Sequence, residues 1–93
     1  MSYDYEASNH RAEARSYEKL WGDQATALLV GRTIKEVRYF TEKEREDLGW
    51  HSRPIALLLD DGTWLWPSRD DEGNDAGALF TTDDELMTIP VIP

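Results

Sequence analysis

The apolar residues of this chain keep a helical rhythm in its first third and a strand rhythm afterwards. From residue 10 they recur at three- and four-residue spacing, through Ala14, Tyr17, Leu20 or Trp21, Ala25, Leu28 and Leu29, with Ala, Glu and Arg between them. That is the stripe of a helix that buries one face, and it predicts a helix over 10–29, preceded by a polar, frayed tail over 1–9. Gly22 and Asp23 interrupt the stripe. One bent helix fits it, and so does a helix followed by a shorter one that Asp23 caps. Gly31 is placed to close the helix in a left-handed conformation.

Residues 33–40 (TIKEVRYF) switch to a β-branched and aromatic pattern and predict a strand, with Val37 and Tyr39 on one face and Ile34 and Phe40 on the other. The change of face implies a twist or bulge near Glu36. Thr41 followed three residues later by Glu44 forms a capping box and starts a short helix, anchored by Leu48 and Trp50 and ended by Gly49. Residues 55–60 (IALLLD) are apolar on both faces, as in a central strand. Asp61-Gly62 then reads as a two-residue hairpin turn returning through 63–66, where Pro67 ends the ladder. A strand over 78–81, a turn over 82–84 and a last strand over 86–92 complete the pattern, and Pro90 marks that last strand as an edge.

The expected fold class is therefore α+β: an N-terminal helix packed on a small antiparallel meander of four to five strands, with a short helix between the first two. With 93 residues the chain holds one domain, 10–93, because so short a chain cannot support two cores. The apolar runs fall far short of the roughly 20 residues that cross a bilayer. No cysteine is present, which excludes disulfides and thiolate metal sites and makes a reducing cytoplasm the simplest setting.

Charge narrows the functional classes. Ten Lys and Arg stand against 19 Asp and Glu, a net of -9, so binding to a nucleic-acid backbone is disfavoured. A basic protein or a divalent cation is the more compatible partner. The acidic stretch Arg69, Asp70, Asp71, Glu72, Gly73, Asn74, Asp75 gathers oxygen donors of the kind calcium or magnesium takes. It is not a calcium-hand loop: with Asp70 as first ligand, Asp75 occupies the glycine position and Thr81 the position of the bidentate glutamate. The alternative is a structural loop whose Asp and Asn side chains satisfy local amides. Trp64 and Trp66 alternate on a strand and share a face, which serves either the core or a stacking surface for a partner. His51 with Ser52 lacks the nucleophile elbow and oxyanion loop of a hydrolase and reads as a loop histidine.

The runs Val30-Gly31-Arg32-Thr33-Ile34-Lys35-Glu36-Val37-Arg38, Leu48-Gly49-Trp50, Arg53-Pro54 and Asp70-Asp71-Glu72-Gly73-Asn74-Asp75-Ala76-Gly77-Ala78-Leu79 resemble a family of small bacterial and phage-associated proteins without an established activity. The resemblance covers a little over half the chain. It implies a self-contained domain and brings no catalytic residues.

These readings converge on a non-enzymatic, acidic, cytoplasmic protein-interaction module, with Trp64, Trp66, Arg69, Asp71 and Asp75 as contact residues. The alternative is a calcium- or magnesium-binding domain using Asp70, Asp71, Glu72, Asn74 and Asp75. A helix stripe left bare at Tyr17, Leu20, Trp21 and Leu28 would favour a homodimer through the N-terminal helix.

Overall fold

The computed structural model describes residues 2–68 and 75–92, with side chains from Arg15 onward. The elements are α1 (Ser2–Leu29), β1 (Ile34–Tyr39), α2 (Glu42–Leu48), β2 (Ile55–Leu59), β3 (Trp64–Pro67), β4 (Leu79–Thr81) and β5 (Thr88–Ile89). The five strands form one antiparallel sheet in sequence order, with β1 and β5 as its edges. This is the α+β meander that the pattern predicts, including the short helix between the first two strands.

The first helix starts at Ser2, within the stretch that lacks apolar periodicity, and it runs unbroken through Gly22. Asp23 caps nothing; it accepts a hydrogen bond at 3.1 Å from Lys19 Nζ, one turn earlier. A lone glycine costs a helix only about 1 kcal/mol relative to alanine, too little to break a run of good helix formers. Near its C-terminal end Leu28 is buried and Trp21, Ala25 and Leu29 are half-buried, whereas Tyr17 and Leu20 remain 45 % and 53 % exposed. Arg32, just past the positive-φ Gly31, ties this end down. Its Nε donates to Leu28 O at 3.1 Å and its guanidinium lies 3.6 Å from the Asp61 carboxylate of the β2–β3 turn.

Cross-strand register assigns the sheet faces. On one face lie Arg38 opposite Ala56, Glu36 opposite Leu58, Leu58 opposite Trp64, and Trp66 opposite Phe80. The other face carries the row Val37, Leu57, Leu65, Thr81. The register shift between Ile34 and Glu36 is the bulge that the sequence implies, but it acts differently from expectation. By absorbing Lys35 it sets Ile34 opposite Leu59, on the face of Val37 and Tyr39 rather than of Phe40.

The hairpin also departs from expectation. Leu59 N–H donates to Thr63 O and Gly62 N–H donates to Leu59 O, so the loop comprises Asp60, Asp61 and Gly62. Gly62 alone takes the positive φ, of 89°. This is a three-residue loop, a turn followed by a left-handed glycine, and Asp61 Oδ1 stabilises it by accepting from Thr63 N–H at 3.0 Å. At the far edge β5 is only Thr88–Ile89 rather than 86–92; Met87 O accepts from Thr81 N–H, so Pro90 sits at an outward-facing position, where an edge strand tolerates a missing amide. Thr81, 4 % exposed, meets its polar needs here: its N–H donates to Met87 O, and its hydroxyl donates to Leu86 O and accepts from Asp83 N–H.

Two glycine-to-alanine substitutions are expected to act with opposite sign. An added methyl meets nothing within 4 Å at Gly22 or at Gly62, so only backbone terms remain. Gly62→Ala forces an L-residue into the left-handed region and destabilises by about 1–2 kcal/mol in urea unfolding. Gly22→Ala strengthens α1 by about 0.5–1 kcal/mol, read as a higher helix melting midpoint by circular dichroism.

Candidate functional site

The side chains that organise the described surface meet at Arg38. Its guanidinium donates to both Glu44 carboxylate oxygens, at 2.8 and 3.0 Å, and to Tyr39 O at 3.1 Å, and it lies 4.6 Å from the centre of the Trp64 ring. Glu44 in turn accepts from Thr41 N–H at 2.7 Å, while Thr41 Oγ1 accepts from Glu44 N–H at 3.1 Å. The capping box that the sequence predicts is thus also one half of a bidentate ion pair across the strand–helix junction. The hydrogen bonds from Arg38 and from the Thr41 amide hold the Glu44 carboxyl down at about 2, against an ordinary 4.5. The Asp61 carboxyl is lowered too, chiefly by the Thr63 amide.

Beside this junction Phe40, Trp50, Trp66 and Phe80 form one aromatic cluster, with ring centres 5.4 Å apart for Phe40–Trp66, 6.0 Å for Trp66–Phe80, 6.4 Å for Trp50–Phe80 and 6.5 Å for Phe40–Trp50. Trp64 and Trp66 share a face, as their alternation predicts, and both are half-buried. Each spends its ring within the chain, Trp64 under Arg38 and Trp66 in the cluster. The Trp66 indole N–H is buried with no hydrogen-bond partner among the described residues.

Of the acidic stretch, Arg69, Asp70, Asp71, Glu72 and Asn74 lie outside the described residues. Asp75 is exposed, and its Oδ1 accepts from Ala76 N–H at 2.7 Å. Among the described residues no three His, Cys, Asp or Glu side chains gather as a metal site would require. No helix among them is long and apolar enough to cross a membrane.

An open groove of about 600 Å³ lies between Tyr39, Glu42, Arg45, His51, Ser52 and Arg53. Two arginines line it, but they are already engaged. Glu42 accepts from Arg45 at 3.0 Å through one oxygen and lies 3.6 Å from Arg53 through the other, and Arg45 Nη1 donates to Trp50 O at 2.7 Å. An incoming anion would have to displace a carboxylate that neutralises both arginines.

The feature that the sequence did not single out is the edge of β1. Phe40 N–H donates to Pro54 O at 2.9 Å, and Leu59 N–H donates to β3 through Thr63 O at 2.8 Å. Alternation along antiparallel strands then points the backbone groups of Glu36 and Arg38 toward β2 and those of Val37 and Tyr39 off the sheet. On the sheet face that these residues share, Ile34, Val37 and Tyr39 are 54 %, 56 % and 62 % exposed. Along the row from Val37 across the sheet, Leu57 is half-buried and Leu65 and Thr81 are buried. The apolar face is thus covered at its centre and bare at β1. Strand order identifies an edge, and strand order is not a local property of sequence, which is why pattern reading passed over it.

Because the Glu44 carboxyl is depressed in the folded chain, its contribution is fully present above about 4.5 and is lost as pH falls toward about 2. Glu44→Gln is expected to be less stable than the parent at neutral pH in urea titrations, with the gap narrowing across that acid window. A gap independent of pH would contradict the ion-pair account. No protein-family model, curated protein or solved structure matches the chain.

Proposed function

We propose that this chain is a protein-interaction module without catalytic chemistry of its own, and that it binds by accepting an extended segment on the free edge of β1. The observation that carries this reading is the combination at Val37 and Tyr39: outward backbone groups on an edge strand together with bare apolar side chains on one face. Unpaired N–H and C=O groups give a strand-adding partner its affinity, and the flanking side chains choose the partner. Lys35 and Glu36 present positive and negative charge in turn beside the apolar positions, while Arg38 is already matched by Glu44. A compatible segment therefore alternates in sign against them, which is a narrower requirement than the generally basic partner that net charge alone suggests. The ion-binding alternative at the acidic stretch gains no support from Asp75, whose carboxylate accepts from the Ala76 amide.

A photocrosslinking amino acid placed at position 37 of the full chain, and separately at position 75, tests the edge in cells. Discrete adducts from position 37 but not from position 75 are the expected result. Adducts from position 75 alone would transfer the contact surface to the acidic loop and overturn the assignment to β1, as would the absence of adducts from either position.

A further inference from the structure

Resting on that edge reading, the geometry points to a second copy of this chain as the occupant of the β1 edge. Lys35-Glu36-Val37-Arg38-Tyr39 is self-complementary when read antiparallel about Val37. A two-fold axis through Val37 sets Val37 against Val37, Glu36 of each copy against Arg38 of the other, and Lys35 against Tyr39. The parity of hydrogen bonding agrees with this register. Val37 carries its N–H and C=O off the sheet, so the two Val37 residues exchange a reciprocal pair of bonds on the axis. Shifting the register by one residue would bring inward-directed backbone groups to the axis and lose that pair.

The charges agree as well. Glu36 is exposed and held only loosely, 3.7 Å from its own Arg38, so its carboxylate can turn to the second copy's Arg38, which keeps its bidentate pair with Glu44 and offers a shared contact rather than a free cation. Opposite charges directly across an antiparallel pair favour pairing, and like charges oppose it. Lys35 meets the ring of Tyr39, an arrangement that suits a cation and an aromatic face. On the apolar face the axis places the two exposed Val37 side chains together, flanked by Tyr39 and Ile34 of both copies, so the bare margin of each sheet is covered by the other. Tyr39 O already accepts from its own Arg38, but a carbonyl has two lone pairs and can still serve the ladder. The bulge at Lys35 ends the pairing on each side. The contact is therefore small, and the dimer weak and rapidly exchanging. Two chains of net charge -9 also repel, so added salt raises the association rather than lowering it.

The chain contains no cysteine, which allows a direct test of register. In the proposed dimer the Val37 Cα atoms lie about 5.5 Å apart, within disulfide reach. Val37→Cys is therefore expected to oxidise to a disulfide dimer at least about tenfold faster than Tyr39→Cys, whose own copies lie several residues apart along the ladder. Sedimentation of the unmodified chain should show concentration-dependent dimerisation. Val37→Pro, which removes an outward amide that has no hydrogen bond among the described residues, should weaken it by roughly tenfold or more. Glu36→Arg should weaken it as well, with circular dichroism confirming that the fold is kept. Equal oxidation of the two cysteine variants overturns the proposal, as does a chain that stays monomeric at every concentration and salt level. So does a dimer that tolerates Val37→Pro but dissociates on Leu20→Glu, which would assign association to the helix. Photoadducts from position 37 to other proteins alone would sink the dimer and leave the edge reading standing, whereas their complete absence removes both.

Discussion

The bidentate pair between Arg38 and Glu44 is the contact on which the arrangement of the rest depends. A helix of seven residues such as α2 is far too short to hold by itself in water. It persists because Glu44 serves two partners at once: it accepts from the Thr41 amide that closes the capping box, and it accepts from both arms of a guanidinium fixed on β1. As an isolated surface pair such a contact stabilises little. Its weight here is geometric, because it fixes the direction in which the chain leaves β1. At the other end of α2, Arg45 donates to the Trp50 carbonyl and Gly49 turns the chain back. Trp50 thereby reaches Phe40 and Phe80 and closes the aromatic cluster over the sheet.

The two sheet faces are consequently unequal. One is roofed by aromatic rings and by the Arg38 guanidinium. The other is buried only around Leu59, Leu65 and Thr81, and it opens toward β1. Buried area scales poorly in a chain of this size, and the described core consists of a few side chains, Leu28, Phe40, Ala56, Leu59 and Leu65. A sheet one layer thick with a helix held near one corner has a margin left over. That margin coincides with the edge strand, whose Val37 N–H and C=O point off the sheet.

How much of this could be read from the residues follows from the range of the interactions. The Thr41–Glu44 capping box, the helix ends at Gly31 and Gly49 and the bulge near Glu36 are all local, and each is visible within a few residues, whereas the last strand, expected over 86–92, is only Thr88–Ile89. The hairpin was visible as a turn but not as a three-residue loop, since Asp61-Gly62 fits both and only the cross-strand partner of Leu59 decides. The unbroken run of α1 through Gly22 turned on about 1 kcal/mol, which composition alone does not resolve. Trp64 and Trp66 were placed on one face by alternation, but what that face packs against depends on Phe40, Trp50 and Phe80, which come from three separate segments. The β1 edge was invisible for the same reason. Nothing within TIKEVRYF distinguishes an edge strand from a central one until the neighbours are counted.

Charge acts at two ranges in this chain, and they pull apart. Arg32, Arg38, Arg45 and Arg53 each lie within ion-pair distance of a carboxylate, so the arginines are largely spent in holding turns and helix ends together. What remains to be felt from afar is the acidic surplus, a field screened over about 8 Å at physiological salt. A strand added at β1, as proposed, lies closer than that, at about 5 Å, where the local charges of Lys35 and Glu36 count for more than the net sign. The long-range field therefore slows the approach of acidic partners without dictating which segment finally pairs. On the proposed edge reading, selection falls to the five residues around Val37, where backbone direction, apolar contact and local charge must all agree in one register.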